Sequence, residues 1–441
     1  MSDWPQVRIG DLGRVVTGKT PSTAVLSNFG GPFPFITIPD LDGRVMIDNA
    51  ARTLSATGAA TIRPSLLPPG SVMMSCIATV GRCGITTAPR YTNQQINALI
   101  PHNGVSARFV YYAFRLLGEA LEDAGGGGSI YTNVSKGRFS ELVIPLPSEE
   151  EQRCIAGTLS ALDDKIELNR RMSETLEAMA QAIFRDWFVD FGPVRRKLEG
   201  TTDPVAIMGG LMPDPARAAE LAALFPEALG EDELPVGWEV DRLGSIADLQ
   251  NGYAFKSSDW SDSGVPVIKI GSVKPGFVEL SSASFVSPTL AEERASFRLS
   301  PGDMVVGLTG YVGETGRVPI VANPPLLNQR VARFRPKQGM SAAVFTAVRD
   351  VAFKMFAESK SHGSAQPNVS TKDLLNFPIV LGNEAILDKF DLLTGPMFDH
   401  SLSVFQENAL LAEIRDYLLP RLMSGEVRVG DLASGSESAG A

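Results

Sequence analysis

The stretch that most limits how this chain can fold runs from about Ser148 to Phe191, where Gly157 is the only glycine or proline. Ser148 followed by Glu151 forms a capping box, and Glu149 and Glu150 place negative charge where a helix N-terminus is positive. Leu159, Leu162, Ile166, Asn169, Ser173, Leu176, Ala180, Ile183 and Trp187 then alternate in steps of three and four. That spacing is a heptad seam sustained for about four heptads. Roughly 40 helical residues span about 60 Å. An ordinary long core helix would share the pattern, but one small domain cannot bury so long a seam, so a second helix is required.

The second helix is found in the same sequence. At an offset of 235 residues, NALLAEIRDYLLPRL mirrors SETLEAMAQAIFRDW, so that Leu176 maps onto Leu411, Met179 onto Ile414 and Ile183 onto Leu418. The same offset carries Asn133-Val134-Ser135 onto Asn368-Val369-Ser370 and Asn93-Gln94 onto Asn328-Gln329. Pro69-Gly70 matches Pro301-Gly302, and Trp4 matches Trp238, at nearly that spacing. Matches in one order at one spacing identify a tandem duplication. The expected fold is α+β. Two globular units, residues 1–147 and 236–381, are each followed by a long helix, residues 148–191 and 382–425. The helices pair as an antiparallel coiled coil through Leu159, Leu162, Ile166, Leu176 and Ile183 on one side and Leu411, Ile414 and Leu418 on the other. Residues 192–235 form a linker and residues 426–441 a flexible tail. Asn169, polar within the seam, can fix register. Gly395-Pro396 should break or kink the second helix near Leu393.

Within the first unit, strands are expected at Phe33–Ile38, Ser71–Thr79, Ile96–Ile100 and Leu142–Pro145, and a helix at Val110–Leu121. In the second, Val267–Gly271 takes the place of Phe35–Asp40, and Asp303–Leu308 follows the Pro301-Gly302 turn. Thr309–Gly316 replaces the Gly81–Gly84 loop. The scaffold positions agree while the loops differ, which suits two copies of one frame reading two targets.

Composition bounds the rest. The 441 residues are 44% apolar, with no apolar run long enough to span a membrane and no charged-then-apolar leader. Cys76, Cys83 and Cys154 are an odd number in a large chain, which suggests a reducing cytoplasm, and Cys76 with Cys83 reads as a buried thiol pair rather than a metal site. The net charge of −10 speaks against a polyanionic partner until its distribution is read. Residues 1–147 carry +3 and residues 236–381 carry +2, while residues 148–235 carry −9 and residues 382–441 carry −6. An anionic partner would therefore meet the globular units.

Catalytic patterns are incomplete. Asn323-Pro324-Pro325-Leu326 resembles the signature with which amino-methyltransferases hold a flipped base, but the stacking aromatic is replaced by Leu326. Gly307, Gly310, Gly313 and Gly316 recur every third residue, unlike a dinucleotide loop. His102, His362 and His400 are scattered, and no Walker loop is present. The expectation is a reader without its own chemistry.

The segment Leu159–Arg171, continuing through Leu176–Ala180 into Phe184-Arg185-Asp186-Trp187-Phe188-Val189-Asp190-Phe191, resembles the central helix of the specificity subunit of type I restriction-modification systems. Asn408–Leu422 resembles that family's C-terminal helix. The resemblance implies two target recognition domains that read the halves of a split site in double-stranded DNA. It implies two methyltransferase subunits, which hold S-adenosylmethionine, and motor-nuclease subunits, which use ATP and Mg. This chain itself would hold no cofactor. Adjacent major-groove faces lie about 34–36 Å apart, so a spacer near 60 Å could serve two successive turns. Loop-borne candidates for DNA contact are Lys19, Thr20, Arg82, Tyr131 and Thr132 in the first unit. In the second they are Tyr253, Lys256, Tyr311, Gln366 and Asn368. Paired Asn93 and Asn328 suit a shared structural job better than base readout. Phe184, Trp187, Phe188 and Phe191 offer more aromatic surface than a helix pair should cover, which suggests a docking patch for the methyltransferase subunits. A scaffold that binds protein instead of DNA is the competing reading.

Overall fold

In a computed structural model describing residues 4–125, 133–281, 283–363 and 367–430, the central helix runs unbroken over Glu149–Phe188. The Ser148 hydroxyl accepts from the Glu151 backbone N–H at 3.3 Å, satisfying an N–H that has no partner inside the helix. The C-terminal helix covers Glu384–Ser424. Two compact units result, one made of residues up to Leu168 together with those from Ala409 on, the other of Asn169–Asn408, so each long helix contributes to both.

In the first unit the helix pair is held by a buried ion pair. Arg415 Nη1 donates to Asp163 Oδ1 at 2.6 Å, and the Tyr112 hydroxyl donates to Asp163 Oδ2 at 2.6 Å. Arg428, just past the end of the C-terminal helix, also lies 3.7 Å from Glu151, so positions rising along the central helix meet positions falling along the C-terminal segment. The segments are antiparallel. Leu159 is fully buried as expected, but Leu162 is only half-buried because Asp163 takes the inward position. The C-terminal helix shows the same one-residue rotation. Turning Arg415 inward leaves Ile414 40% exposed and Leu411 half-buried, while Leu419, Leu422 and Met423 join the core. Leu418 packs at its margin. The expectation at Ile414 is therefore corrected.

In the second unit the seam is polar first and then aromatic. Asn169, fully buried, donates to Glu407 Oε2 at 2.8 Å and to Asn408 Oδ1 at 2.9 Å. Ile166, in the first unit, and Leu176 here are half-buried. Further along, Ile183 is buried, and Phe184, Trp187 and Phe188 each meet the Phe390 ring with centroids 5.5–5.8 Å apart. Trp187 also meets Phe225, and Phe191 meets Trp238. These four aromatics do not form an exposed docking patch. They are 1–8% exposed, the centre of the second unit's own core. What covers them is the stretch expected to be a linker. Helices Gly192–Leu198, Pro204–Ile207 and Pro215–Ala222 fold over the ring cluster and bury Val194, Met208, Leu221 and Phe225. Arg196 clamps Asp186 through two bonds at 2.9 and 2.8 Å.

Gly395-Pro396 does not interrupt the C-terminal helix. Proline deprives only the Leu392 carbonyl of its bond, and Leu392 is 71% exposed, so water can serve it. One turn earlier, Thr394 Oγ1 donates to the Phe390 carbonyl at 2.7 Å. The start of the expected tail is also ordered, since Val427 and Val429 pack on the first unit's core, while residues 431–441 lie outside the described residues.

The globular parts repeat one topology. In the first, Gly13–Thr17, Ile96–Pro101, Val72–Ser75, Cys83–Thr86 and Met46–Ile47 follow in that sheet order, with antiparallel neighbours until the last, parallel pair. In the second, Ala247–Asn251, Val331–Pro336, Met304–Gly307, Thr315–Arg317 and Gly276–Val278 reproduce the order and polarity, with Val273–Lys274 added at the edge. A smaller sheet repeats as well. Phe29–Ile36 pairs in parallel with Tyr91–Thr92, as Val265–Ile268 does with Leu326–Leu327. The Gly70 and Gly302 turns, at φ 80° and 83°, close on the Thr86 and Val318 carbonyls, both at 2.8 Å.

Two outcomes follow for stability. Trp187→Ala should cost about 3–5 kcal/mol by emptying the ring cluster, read as a fall in the denaturation midpoint. Asp163→Ala should cost about 3–5 kcal/mol, because Arg415 Nη1 and the buried Tyr112 hydroxyl both lose their acceptor although Arg415 keeps Asp416, and Asp163→Leu with Arg415→Met and Tyr112→Phe should recover most of that loss.

Candidate nucleic-acid interface

Four loops of each globular part are tied into one surface by the same backbone bonds. In the first unit Gly18 N–H donates to the Ile96 carbonyl at 3.0 Å and Lys19 N–H to Thr92 at 2.9 Å. Cys76 N–H donates to Gln95 at 2.8 Å, and Val134 N–H to Cys76 at 2.9 Å. In the second unit Gly252 donates to Val331 at 3.3 Å, Tyr253 to Leu327 at 2.9 Å, Leu308 to Arg330 at 2.9 Å, and Val369 to Leu308 at 3.0 Å. Glycine is required where the first loop crosses the third. A Cβ on Gly18 would stand 2.1 Å from the Asn93 carbonyl oxygen, and one on Gly252 would stand 2.2 Å from that of Asn328. Asn93 Oδ1 accepts from Gln95 N–H at 3.1 Å and Asn328 Oδ1 from Arg330 N–H at 3.2 Å. Both asparagines therefore hold the third loop in shape, as their matched positions suggested.

On this common frame the side chains diverge. The backbone bonds align Lys19 with Tyr253. They also align Thr79 with Tyr311, Arg82 with Glu314, and Gln95 with Arg330. The second loop passes through left-handed backbone at Ala78 (φ 67°) and at its counterpart Gly310 (φ 76°). A non-glycine residue there is uncommon outside sites that need the shape.

Of the residues expected to contact DNA, Lys19 and Thr20 fall on this surface in the first unit, where Thr20 Oγ1 bonds Gln94 Oε1, whereas Arg82 closes the second loop through its carbonyl and lines a cleft beside Tyr111 and Arg115. In the second unit Tyr253, Tyr311 and Asn368 come together. Gly310 N–H donates to the Pro367 carbonyl at 2.9 Å, and Thr309 Oγ1 donates to Asn368 Oδ1 at 2.8 Å. Tyr311 is 68% exposed, whereas Tyr253 is half-buried against Phe255 and Phe297 with the Arg294 guanidinium 4.7 Å above its ring. Tyr253 thus spends part of its surface on packing. Lys256 lies on the next turn, its backbone N–H bonded to Asp259 Oδ2 at 2.7 Å and its side chain exposed. Tyr131, Thr132 and Gln366 lie outside the described residues. The loops also present exposed Gln94 and Gln329, which the sequence reading gives the same structural job as the asparagines before them, and Arg330, which it does not single out. Its signal was adjacency to the duplicated Asn328-Gln329.

Long acid-free stretches feed this frame, although Glu314 and Asp259 also lie on the loops of the second unit. Residues 12–39 and 49–118 contain no aspartate or glutamate but carry Arg14, Lys19, Arg52, Arg63, Arg82, Arg90, Arg108 and Arg115. Residues 315–349 contain no acid either and carry Arg317, Arg330, Arg333, Arg335, Lys337 and Arg349. Some of these are internally paired, Arg333 with Asp303 and Arg349 with Glu177. Arg82, Arg115 and Arg415 line one cleft of the first unit beside Tyr111 and Cys83. There burial opposes ionisation of Asp416, but hydrogen bonds and charge from Arg415 and Arg115 outweigh it and hold the carboxyl below its ordinary range. Burial pushes the Cys76 thiol up to about 11 and raises that of Cys83 as well, so both are unreactive at neutral pH. No group of histidine, cysteine and carboxylate side chains able to hold a metal occurs among the described residues.

Both halves of the chain match a known domain. The type I restriction modification DNA specificity domain matches residues 1–178 and again residues 235–386, the duplicated halves. The specificity subunit of the MjaIX type I restriction enzyme of Methanocaldococcus jannaschii is 27% identical, across 98% of this chain and 95% of its own length. The HindI specificity subunit of Haemophilus influenzae is 29% identical, across 65% of this chain and 70% of its own length. Among solved structures, the S subunit of a type I restriction-modification system from M. genitalium shares the fold over 95% of this chain and 96% of that one, with a TM-score of 0.50 at 16% identity. With both halves matched and their loops built on one frame, the chain belongs to the type I restriction-modification DNA specificity family.

Proposed function

We propose that this chain is the DNA-reading subunit of a type I restriction-modification complex, each globular part reading one half of a bipartite duplex target. The observation that carries the reading is the doubled loop frame, with identical backbone bonds and different exposed side chains. A surface of that kind gives two readers of one build and unlike preference. The acid-free stretches that contribute to both loop sets supply the field that draws a polyanion, despite the net charge of −10. The long helices serve as the spacer that sets the unread gap and as the support for two methyltransferase subunits. S-adenosylmethionine then belongs to those subunits, ATP and Mg to the motor-nuclease, and chemistry to neither half of this chain. No helix among the described residues is long and apolar enough to cross a membrane, which agrees with a cytoplasmic complex.

Mapping methylated adenines in cells that express this chain with its methyltransferase should give a split motif with two unrelated halves. Exchanging residues 1–147 for another such unit should change one half and leave the other intact; a motif that changes at both halves, or at neither, would overturn the reading. Arg330→Ala should weaken binding of the intact target by about 1–3 kcal/mol and relax preference only at the second half, measured by competition with half-scrambled duplexes. The full chain without its partners should show no heat of binding with S-adenosylmethionine by calorimetry.

A further inference from the structure

Leu26 is 84% exposed, and Val25 beside it is 47% exposed. A leucine so displayed normally sits on a loose loop, but this one is held rigidly. Leu26–Asn28 forms a single helical turn in which Asn28 N–H donates to the Val25 carbonyl at 3.0 Å and Asn28 Nδ2 to Ser22 at 3.0 Å. From below, Ser55 Oγ donates to the Ser27 carbonyl at 2.6 Å and Ser55 N–H to Asn28 at 2.9 Å. Gly58 then closes against the turn so tightly that a Cβ would meet the Asn28 carbonyl at 2.1 Å. Asn28 itself is 5% exposed. The fold spends a buried asparagine and a required glycine on keeping an apolar tip in water.

The surroundings say what would cover it. The turn continues from Lys19 and Thr20 on the reading surface, only six residues upstream. No carboxylate occurs anywhere in residues 12–39, and exposed Arg52 stacks over the Phe29 ring at 4.9 Å, immediately after the turn. A rigid apolar tip flanked by cations and continuous with a base-reading loop matches a wedge that enters between stacked bases while its neighbours hold phosphates. The equivalent turn of the second unit, Ser257–Asp259, carries serines and an acid instead. We propose that Leu26, supported by Val25, is a stacking wedge of the first unit, pressed into a base step of its half of the target, and that the second unit has no such wedge. The inference rests on the DNA-reading role proposed above.

The test uses the full complex with its methyltransferase subunits and duplexes carrying 2-aminopurine in the first or the second half of the mapped target. Wild-type complex should brighten the probe in the first half, and Leu26→Ala should abolish that rise and weaken binding about tenfold. Leu26→Met should retain both. The melting temperature should not change, since the side chain packs against little. An unchanged signal and affinity in Leu26→Ala would overturn the wedge while leaving the reading role intact. Loss of methyltransferase recovery without a change in the probe would overturn it too, by making the tip a protein contact. Failure of the wild-type complex to retain the target would instead refute the DNA-reading role itself.

Discussion

Everything in this protein depends on how two long helices satisfy each other's inward faces. In the first unit they do so with a charge, Asp163 against Arg415, held by Tyr112 from a third element. In the second they do so with an amide, Asn169 against Asn408, and then with rings set edge-to-face around Phe390. A purely apolar seam would tolerate slippage by a turn. Buried polar groups do not, because one step out of register leaves a charge or an amide without a partner in a dry interior. The polar residues thus select one alignment, and the aromatic end supplies the apolar area.

That alignment matters because the two globular parts share one loop frame and differ in the side chains their loops expose, which is where the proposed reading of DNA takes place. The strands fix where the loops leave, and the glycines at 18 and 252 allow backbone to lie on backbone where a side chain would intrude. With the frame constant, the exposed side chains can vary at little cost to stability, since few of them enter the core. Duplication then provides two surfaces of one geometry and different chemistry. A reader of two unrelated half-sites needs both properties.

The connector between the units shows how an apparently formless segment can be structural. Its proline- and glycine-rich sequence has no long periodicity, yet its short helices cap an aromatic cluster that the helix pair alone would leave wet. Counting apolar area on one helix cannot distinguish a surface awaiting another protein from a surface awaiting a later part of the same chain. Phe184, Trp187, Phe188 and Phe191 belong to the second case.

The sequence by itself determined the duplication, the two long helices and their antiparallel pairing, and several of the loops that gather into one frame in each unit. These are properties of spacing, and spacing survives in one dimension. Tertiary structure alone decided the phase of each helix. A shift of one residue turns a helix by about 100°, and the preference of Asp163 for Arg415 over Leu162 for Ile414 is a matter of a partner 252 positions away. It also decided that Gly395-Pro396 lies within a helix, because packing on both sides outweighs one lost bond, and that the aromatic end of the central helix is interior. Such outcomes depend on which distant segment arrives to cover a face, and no local pattern records that arrival.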